Sequence, residues 1–169
     1  MMDAAALTEI RTPAVAVAGV LDRLRVSSEP LECVIVGAGV QGRAHARTVV
    51  DALAGVREVS VTFTSRSEPA DLAYPWVESG SAGADEALGR AGLVVVATSA
   101  GEPVVVDRQL RPDATVLAVG AHTVDTRELH EDVLRGAQVF VEDVEAARRE
   151  AGDVAIAVEK GALAWDDVV

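Results

Sequence analysis

The sequence predicts an α/β fold, a doubly wound parallel sheet, and three observations predict it. Short apolar runs rich in β-branched residues alternate with stretches of helical periodicity. Leu31 to Val36 and Leu93 to Ala97 are apolar runs rather than half-exposed, alternating ones, which suits strands covered on both faces. Three glycines, Gly37, Gly39 and Gly42, fall directly between the first such run and the helical stretch that follows it.

The elements follow in chain order. From Pro13 to Arg25, Val17, Val20, Leu21 and Leu24 recur at the spacing of one helical face. Thr12 is placed to cap this helix, with Pro13 at its first position, where a missing N–H costs nothing. Ser27, Ser28 and Pro30 end it in a turn. Leu31 to Val36 is the first strand, and Ala46, Val49, Val50 and Leu53 mark the next helix, ending near Gly55. Val59 to Phe63 is the second strand and completes a βαβ unit. Through Ala70 to Ser81, Pro75, Gly80 and the nearby Gly83 break any long element, so only a short third strand near Trp76 fits. A helix over Asp85 to Arg90 leads to strands at Leu93 to Ala97 and Thr115 to Val119, both expected at the centre of the sheet, with Gly120 ending the second. His130 opens a helix and is expected to be solvated. Val139 to Val141 reads as a final strand, followed by helices over Glu142 to Glu150 and Asp153 to Glu159. The chain divides into a helical lead-in (1–30), a nucleotide-binding domain (31–145) and a C-terminal helical segment (146–169).

Gly37-Ala38-Gly39-Val40-Gln41-Gly42 fits GxGxxG and stands where its chemistry requires, after a strand and opening a helix. Gly37 permits the tight turn, Gly39 leaves room for a pyrophosphate, and Gly42 lets the helix approach the strand. Val40 and Gln41 line the turn. Backbone N–H groups and the positive end of the helix dipole favour an anion there without a basic side chain. The fold is therefore of the Rossmann type, binding a nicotinamide dinucleotide. A site selective for NAD carries an acidic residue at the end of the second strand. Here Phe63 is followed by Thr64-Ser65-Arg66-Ser67. Ser65, Arg66 and Ser67 offer hydroxyls and a guanidinium suited to a 2′-phosphate, so NADP(H) is preferred while NAD(H) stays possible.

Composition narrows the remaining classes. At 169 residues the chain accommodates one ordinary domain, not the two that most nicotinamide enzymes use. A formal charge of -12 without a basic cluster excludes nucleic acid as the expected partner. No stretch approaches the roughly 18 apolar residues that span a bilayer, and no signal peptide opens the chain; a cytoplasmic protein without a membrane partner is expected. Cys33, the only cysteine, sits in an apolar run and reads as a buried, inert thiol. All basic residues except Lys160 are arginine, a bias expected of a GC-rich bacterial genome. No metal site is assigned.

Several motifs together resemble the ornithine cyclodeaminase and mu-crystallin family, across essentially the whole chain. Leu7-Thr8-Glu9-Ile10-Arg11-Thr12-Pro13-Ala14 is similar to its LTxxRTxA segment, and the glycine run to its GAGxQxxxH form with His45 in register. Ala97-Thr98-Ser99 with Glu102-Pro103, Ala118-Val119-Gly120-Ala121-His122, Arg127-Glu128-Leu129, Val139-Phe140-Val141-Glu142-Asp143 and Glu150-Ala151-Gly152-Asp153 follow in the family's order. The resemblance implies an oxidoreductase-like site where the cofactor meets a small amino or imino acid. Reduction of a cyclic imine, oxidation of an amino acid, and deamination of ornithine through transient oxidation all stay open. Arg11 matches the position that pairs with the substrate carboxylate. Thr98, Ser99 and Gly120, at the carboxyl ends of strands, are candidate cofactor contacts. His122 departs from the cyclodeaminases, which carry aspartate there; this disfavours ornithine deamination and leaves a candidate general acid or base, or a loop residue that merely hydrogen-bonds.

Family members run to about twice this length, and the resemblance implies a second domain that binds substrate and forms a homodimer in the full-length form. The opening, Met2 to Thr8, resembles text inside the family's sequence. Three readings follow: part of a full NADP-dependent enzyme, which is favoured; a short NADP(H)-binding protein without chemistry; or a subunit completed by another chain.

Overall fold

The computed structural model describes residues 4–169; Met1 to Asp3 of the lead-in lie outside the described residues. The described residues form two compact units, one comprising 4–97 with Leu110–Val119, the other Thr98–Gln109 with Gly120–Val169.

The first unit is built on a parallel sheet. Leu31–Val36 (β1) lies at its middle, with Val59–Ser65 (β2) and Trp76–Glu78 (β3) on one side and Leu93–Val96 (β4) and Thr115–Ala118 (β5) on the other. Cys33 pairs with Val61 and Leu93, and Ile35 with Phe63 and Val95, so alternate residues of three strands share one face. That face is covered by Val17 and Leu24 of helix Ala4–Arg25 (α1) and by Ala46, Val49 and Leu53 of helix Val40–Leu53 (α2). Glu32, on the opposite face, receives Arg90 from helix Ala82–Arg90 (α3) at 3.0 Å. Helices on both faces and the strand order β3-β2-β1-β4-β5 make this the Rossmann-type, doubly wound sheet expected from the sequence. The shortage of aromatics leaves Phe63 as the one fully buried Phe, Tyr or Trp among the described residues, its ring tilted against that of Tyr74 at 5.6 Å, in a core of Val, Leu, Ile and Ala. Cys33 is buried as expected, and desolvation pushes its thiol pKa up to about 12.

Several expectations are corrected. The first helix begins at Ala4, not Pro13, and Pro13 lies inside it. Strong helix formers at Ala4 to Leu7 and packing on α2, including Gln41 Nε2 donating to Thr8 O at 3.2 Å, offset the backbone hydrogen bond that proline removes. This helix has 22 residues and a mean hydropathy of 1.3 over 18 of them, so among the described residues one helix is long and apolar enough to cross a membrane, contrary to the sequence reading, which began it at Pro13. The same apolar composition serves a helix that buries Pro13, Val17 and Leu24. β5 is an edge strand rather than a central one. Helix α3 starts earlier than expected because Ser81 caps it, its side chain accepting from Ala84 N–H, which carries the helix through Gly83. Val139 to Val141 joins no sheet: Val139 forms an isolated bridge with Val168, and the C-terminal residue supplies its backbone partners.

The second unit has little regular structure. Its helices are Glu131–Leu134 (α4), Val144–Glu150 (α5) and Gly152–Glu159 (α6), with α4 and α5 both packed on α6. Its long loops are held by side chains: Asp143 caps α5 through Ala146 N–H, Arg148 lies 4.4 Å over the Trp165 ring, and Glu131 receives Arg127 and Lys160. His130 caps α4 and is partly exposed.

Candidate functional site

In the first unit the glycine turn is shaped by contacts that a side chain would break. Gly37 has φ of 105°, where L side chains are strained. Its N–H donates to Thr64 O at 2.8 Å, tying the turn to the end of β2. A Cβ on Gly42 would lie 1.9 Å from Gly37 O and 3.1 Å from Ile35 Cγ2, so only glycine permits the approach of α2 to β1. A Cβ on Gly39 would meet nothing within 4 Å: it points into open space. Gly39 is also the N-cap of α2, and no side chain caps that helix. The first N–H groups of a 14-residue helix are therefore left to accept an anion. Ala38 is half-buried and Val40 exposed beside the turn. Gln41 is turned away, its amide held by α1. His45 is fully buried; its Nδ1 lies 2.8 Å from Gln41 O, and burial lowers its pKa.

A residue without a role in the sequence reading braces this turn. Arg43 donates from Nε to Ala38 O at 3.1 Å, from Nη1 to Asp71 O at 3.1 Å and from Nη2 to Ala70 O at 2.9 Å. One guanidinium thus joins the glycine turn to the loop after β2. No spacing rule singles it out; only the fold brings those carbonyls together.

At the end of β2, Ser65 Oγ donates to Ser67 O at 2.7 Å and accepts from Trp76 Nε1 at 2.8 Å, so its hydroxyl is engaged within the loop. Arg66 and Ser67 are exposed, and Arg66 makes no hydrogen bond or ion pair among the described residues. The sequence reading missed that Glu78 of β3 stands in register with Ser65, placing a carboxyl on the neighbouring strand. Arg11 lies on α1 and is exposed.

In the second unit the loops that follow β4 and β5 meet at Glu128, which is fully buried. Its Oε1 accepts from Thr98 N–H at 2.6 Å and Thr98 Oγ1 at 2.7 Å, and its Oε2 accepts from Gly120 N–H at 2.6 Å. Thr98 Oγ1 in turn accepts from Ala100 N–H at 3.1 Å, so this hydroxyl shapes its own loop. Asp153 Oδ1 accepts from the N–H groups of Glu128 and Leu129 at 2.9 and 2.8 Å. Burial raises the Asp153 pKa, against the pull of those two N–H groups. Gly152 permits this arrangement, since a Cβ there would lie 1.9 Å from Thr126 O and 2.4 Å from Thr123 O. Ser99 is exposed, and so is His122, whose Nδ1 lies 3.0 Å from Gly120 O. With a carbonyl as partner, Nδ1 carries the proton of the neutral ring and Nε2 keeps its lone pair. The motifs around Glu128 and Asp153 are visible in the sequence, yet their function as stacked acceptors is not, because neither has a cation at a telling spacing.

Comparison with known proteins agrees with this architecture. The family model described as the ornithine cyclodeaminase/mu-crystallin family matches residues 1–168. Delta(1)-pyrroline-2-carboxylate reductase of Paracoccus denitrificans is 29% identical over 174 residues, covering 100% of this chain and 54% of its own. Ketimine reductase mu-crystallin of Mus musculus is 32% identical over 158 residues, covering 91% and 49%. Among solved structures, Thermococcus litoralis Delta(1)-pyrroline-2-carboxylate reductase in complex with NADH and L-proline superposes with a TM-score of 0.71 at 25% identity, covering 93% of this chain and 51% of that one. The chain spans about half the length of the curated relatives it matches.

Proposed function

The chain belongs to the ornithine cyclodeaminase/mu-crystallin family, and from that premise we propose that it is the NAD(P)(H)-binding part of an oxidoreductase acting on a small amino or cyclic imino acid. The observation that carries this reading is the glycine turn, where the missing Cβ of Gly42 brings an uncapped helix N-terminus against β1 and Gly39 leaves the space before it open. These residues fit a pyrophosphate: N–H groups receive it and no side chain fills its place. A bound nicotinamide supplies or accepts a hydride at the carbon–nitrogen bond of the substrate. The relatives' activities on pyrroline-2-carboxylate and ketimines support the substrate class.

Within this reading the side chains divide the work. Arg11 pairs bidentately with the substrate carboxylate. His122 holds or delivers the proton at the substrate nitrogen through Nε2, since Nδ1 is engaged by Gly120 O. Ser99 and the backbone at Thr98 and Gly120 contact the cofactor. Ornithine deamination is the less favoured reaction, because the resemblance places aspartate where this chain has His122. The rest of a full-length protein forms a second, substrate-binding domain and a homodimer, with segments 1–30 and 146–169 as its junctions, in a cytoplasmic bacterial enzyme.

NADP(H) is the preferred cofactor, with Arg66 and Ser67 receiving the 2′-phosphate and Ser65 ordering their loop. Arg66→Ala is expected to raise the dissociation constant for NADPH roughly tenfold to a hundredfold, the worth of a charge-assisted hydrogen bond of about 1.5–3 kcal/mol, and to leave NADH within about twofold. Fluorescence titration with each cofactor measures both. Equal losses would overturn the assignment of Arg66, and a wild-type preference for NADH abolished by Glu78→Ala would assign the ribose site to Glu78 instead.

A further inference from the structure

We infer that Glu128 is a positioning residue that holds the loops after β4 and β5 as one piece and thereby sets the nicotinamide end of the cofactor site; this rests on the cofactor reading above. The strand order places the ends of β2 and β3 on one side of β1 and those of β4 and β5 on the other. Arg66 follows β2, on the adenosine side. Thr98 and Gly120 come two residues after the ends of β4 and β5, and the cofactor reading gives them the nicotinamide end.

Farther along, those two loops are joined by an isolated parallel bridge, Val105 with Leu129. Next to the strands, at Thr98 and Gly120, three short hydrogen bonds to one buried carboxyl join them, two from the Thr98 N–H and hydroxyl and one from Gly120 N–H. All three donors are directed at acceptors, which a carboxylate satisfies with both oxygens and an amide cannot. The carboxyl is itself anchored from behind. Asp153 Oδ1 holds the N–H of Glu128 and of Leu129, and Glu128 O accepts from Val104 N–H at 2.7 Å, so the backbone that carries the carboxyl is fixed on both sides. Gly120 completes the fit: a Cβ there would lie 2.5 Å from Glu128 Oε1, so the carboxyl occupies the space a side chain would need. Glu128 touches neither substrate nor cofactor in this account; it acts through Thr98 and Gly120.

Glu128→Gln tests the assignment, because it keeps the volume and turns one acceptor into a donor facing an N–H. In the protein without cofactor, amide hydrogen exchange at Thr98 or Gly120 is expected to quicken roughly tenfold to a hundredfold. The dissociation constant for NADPH is expected to rise about tenfold, while that for 2′-phospho-ADP-ribose, which lacks the nicotinamide, stays within about twofold. A uniform structural loss would weaken both. Thr98→Val, which removes the hydroxyl that donates to Glu128 and accepts from Ala100 N–H but leaves the carboxyl in place, is the second variant should the first fail to fold, and is expected to shift the same two measurements in the same directions by smaller factors. Unchanged exchange at both amides would overturn the pin. Quickened exchange with NADPH affinity unaltered, or with both compounds weakened equally, would overturn its role at the nicotinamide end. Wild-type protein that bound neither compound would overturn the cofactor reading, with the exchange measurement still deciding whether Glu128 fixes the loops.

Discussion

Gly42→Ala is expected to abolish measurable NADPH binding and to lower the unfolding free energy by about 3 kcal/mol, the upper range for forcing a methyl group into a packed site. The added carbon would stand 1.9 Å from Gly37 O, a backbone atom held in place by the Thr64 hydrogen bond on its own N–H side. Neither partner can rotate away, so α2 must move off β1. That movement carries the helix N-terminus, the anion-receiving element, out of register with the turn. It also opens the core where Ile35, Ala46 and Val49 meet. Urea unfolding and cofactor titration of one sample measure both losses. Wild-type affinity in the alanine variant would mean that the turn does not receive the pyrophosphate.

An effect of similar size is expected at Gly120. Alanine there places a carbon 2.2 Å from Thr98 O and 2.5 Å from Glu128 Oε1. The first is backbone, and the second is a buried carboxyl whose hydrogen bonds would be lost if it swung aside. The expected cost is about 3 kcal/mol, from overpacking together with unsatisfied N–H groups. Trp165, beneath Arg148 in the second unit, offers a local probe. In a Trp76→Phe background its fluorescence should report a clearly lower urea midpoint for Gly120→Ala. An unchanged midpoint would contradict the packing described around Glu128.

The sheet was legible because its strands are short runs rich in apolar and β-branched residues, bounded by turn residues. β1 was read to the residue, Leu31 to Val36, and the others to within two or three residues. Its order was less so. The run Thr115 to Val119 looks central by composition, but it lies on the edge and only Leu117 is buried. Pro13 misled the reading of α1, because it was taken as a helix start and lies inside a helix that already runs from Ala4. Val139 to Val141 has strand propensity without a strand to pair with, an outcome decided by the distant Val168 and Val169. The glycine turn could be read because its geometry is local: three residue identities at fixed spacing determine it. Arg43 and Glu128 could not. Arg43 acts on carbonyls as far away as Asp71, and Glu128 joins Thr98 to Gly120 across 30 and 8 positions. Acceptors and donors that the chain assembles over such separations leave no periodic trace.

That the glycine turn of the first unit receives the pyrophosphate of a nicotinamide dinucleotide is decided first by fluorescence titration of the 169-residue protein with NADPH and, separately, with NADH. Saturable binding of both, tighter for NADPH, is the predicted result. No binding of either by a chain that circular dichroism and cooperative unfolding show to be folded would contradict it, and would make the glycine turn a purely structural feature of this protein.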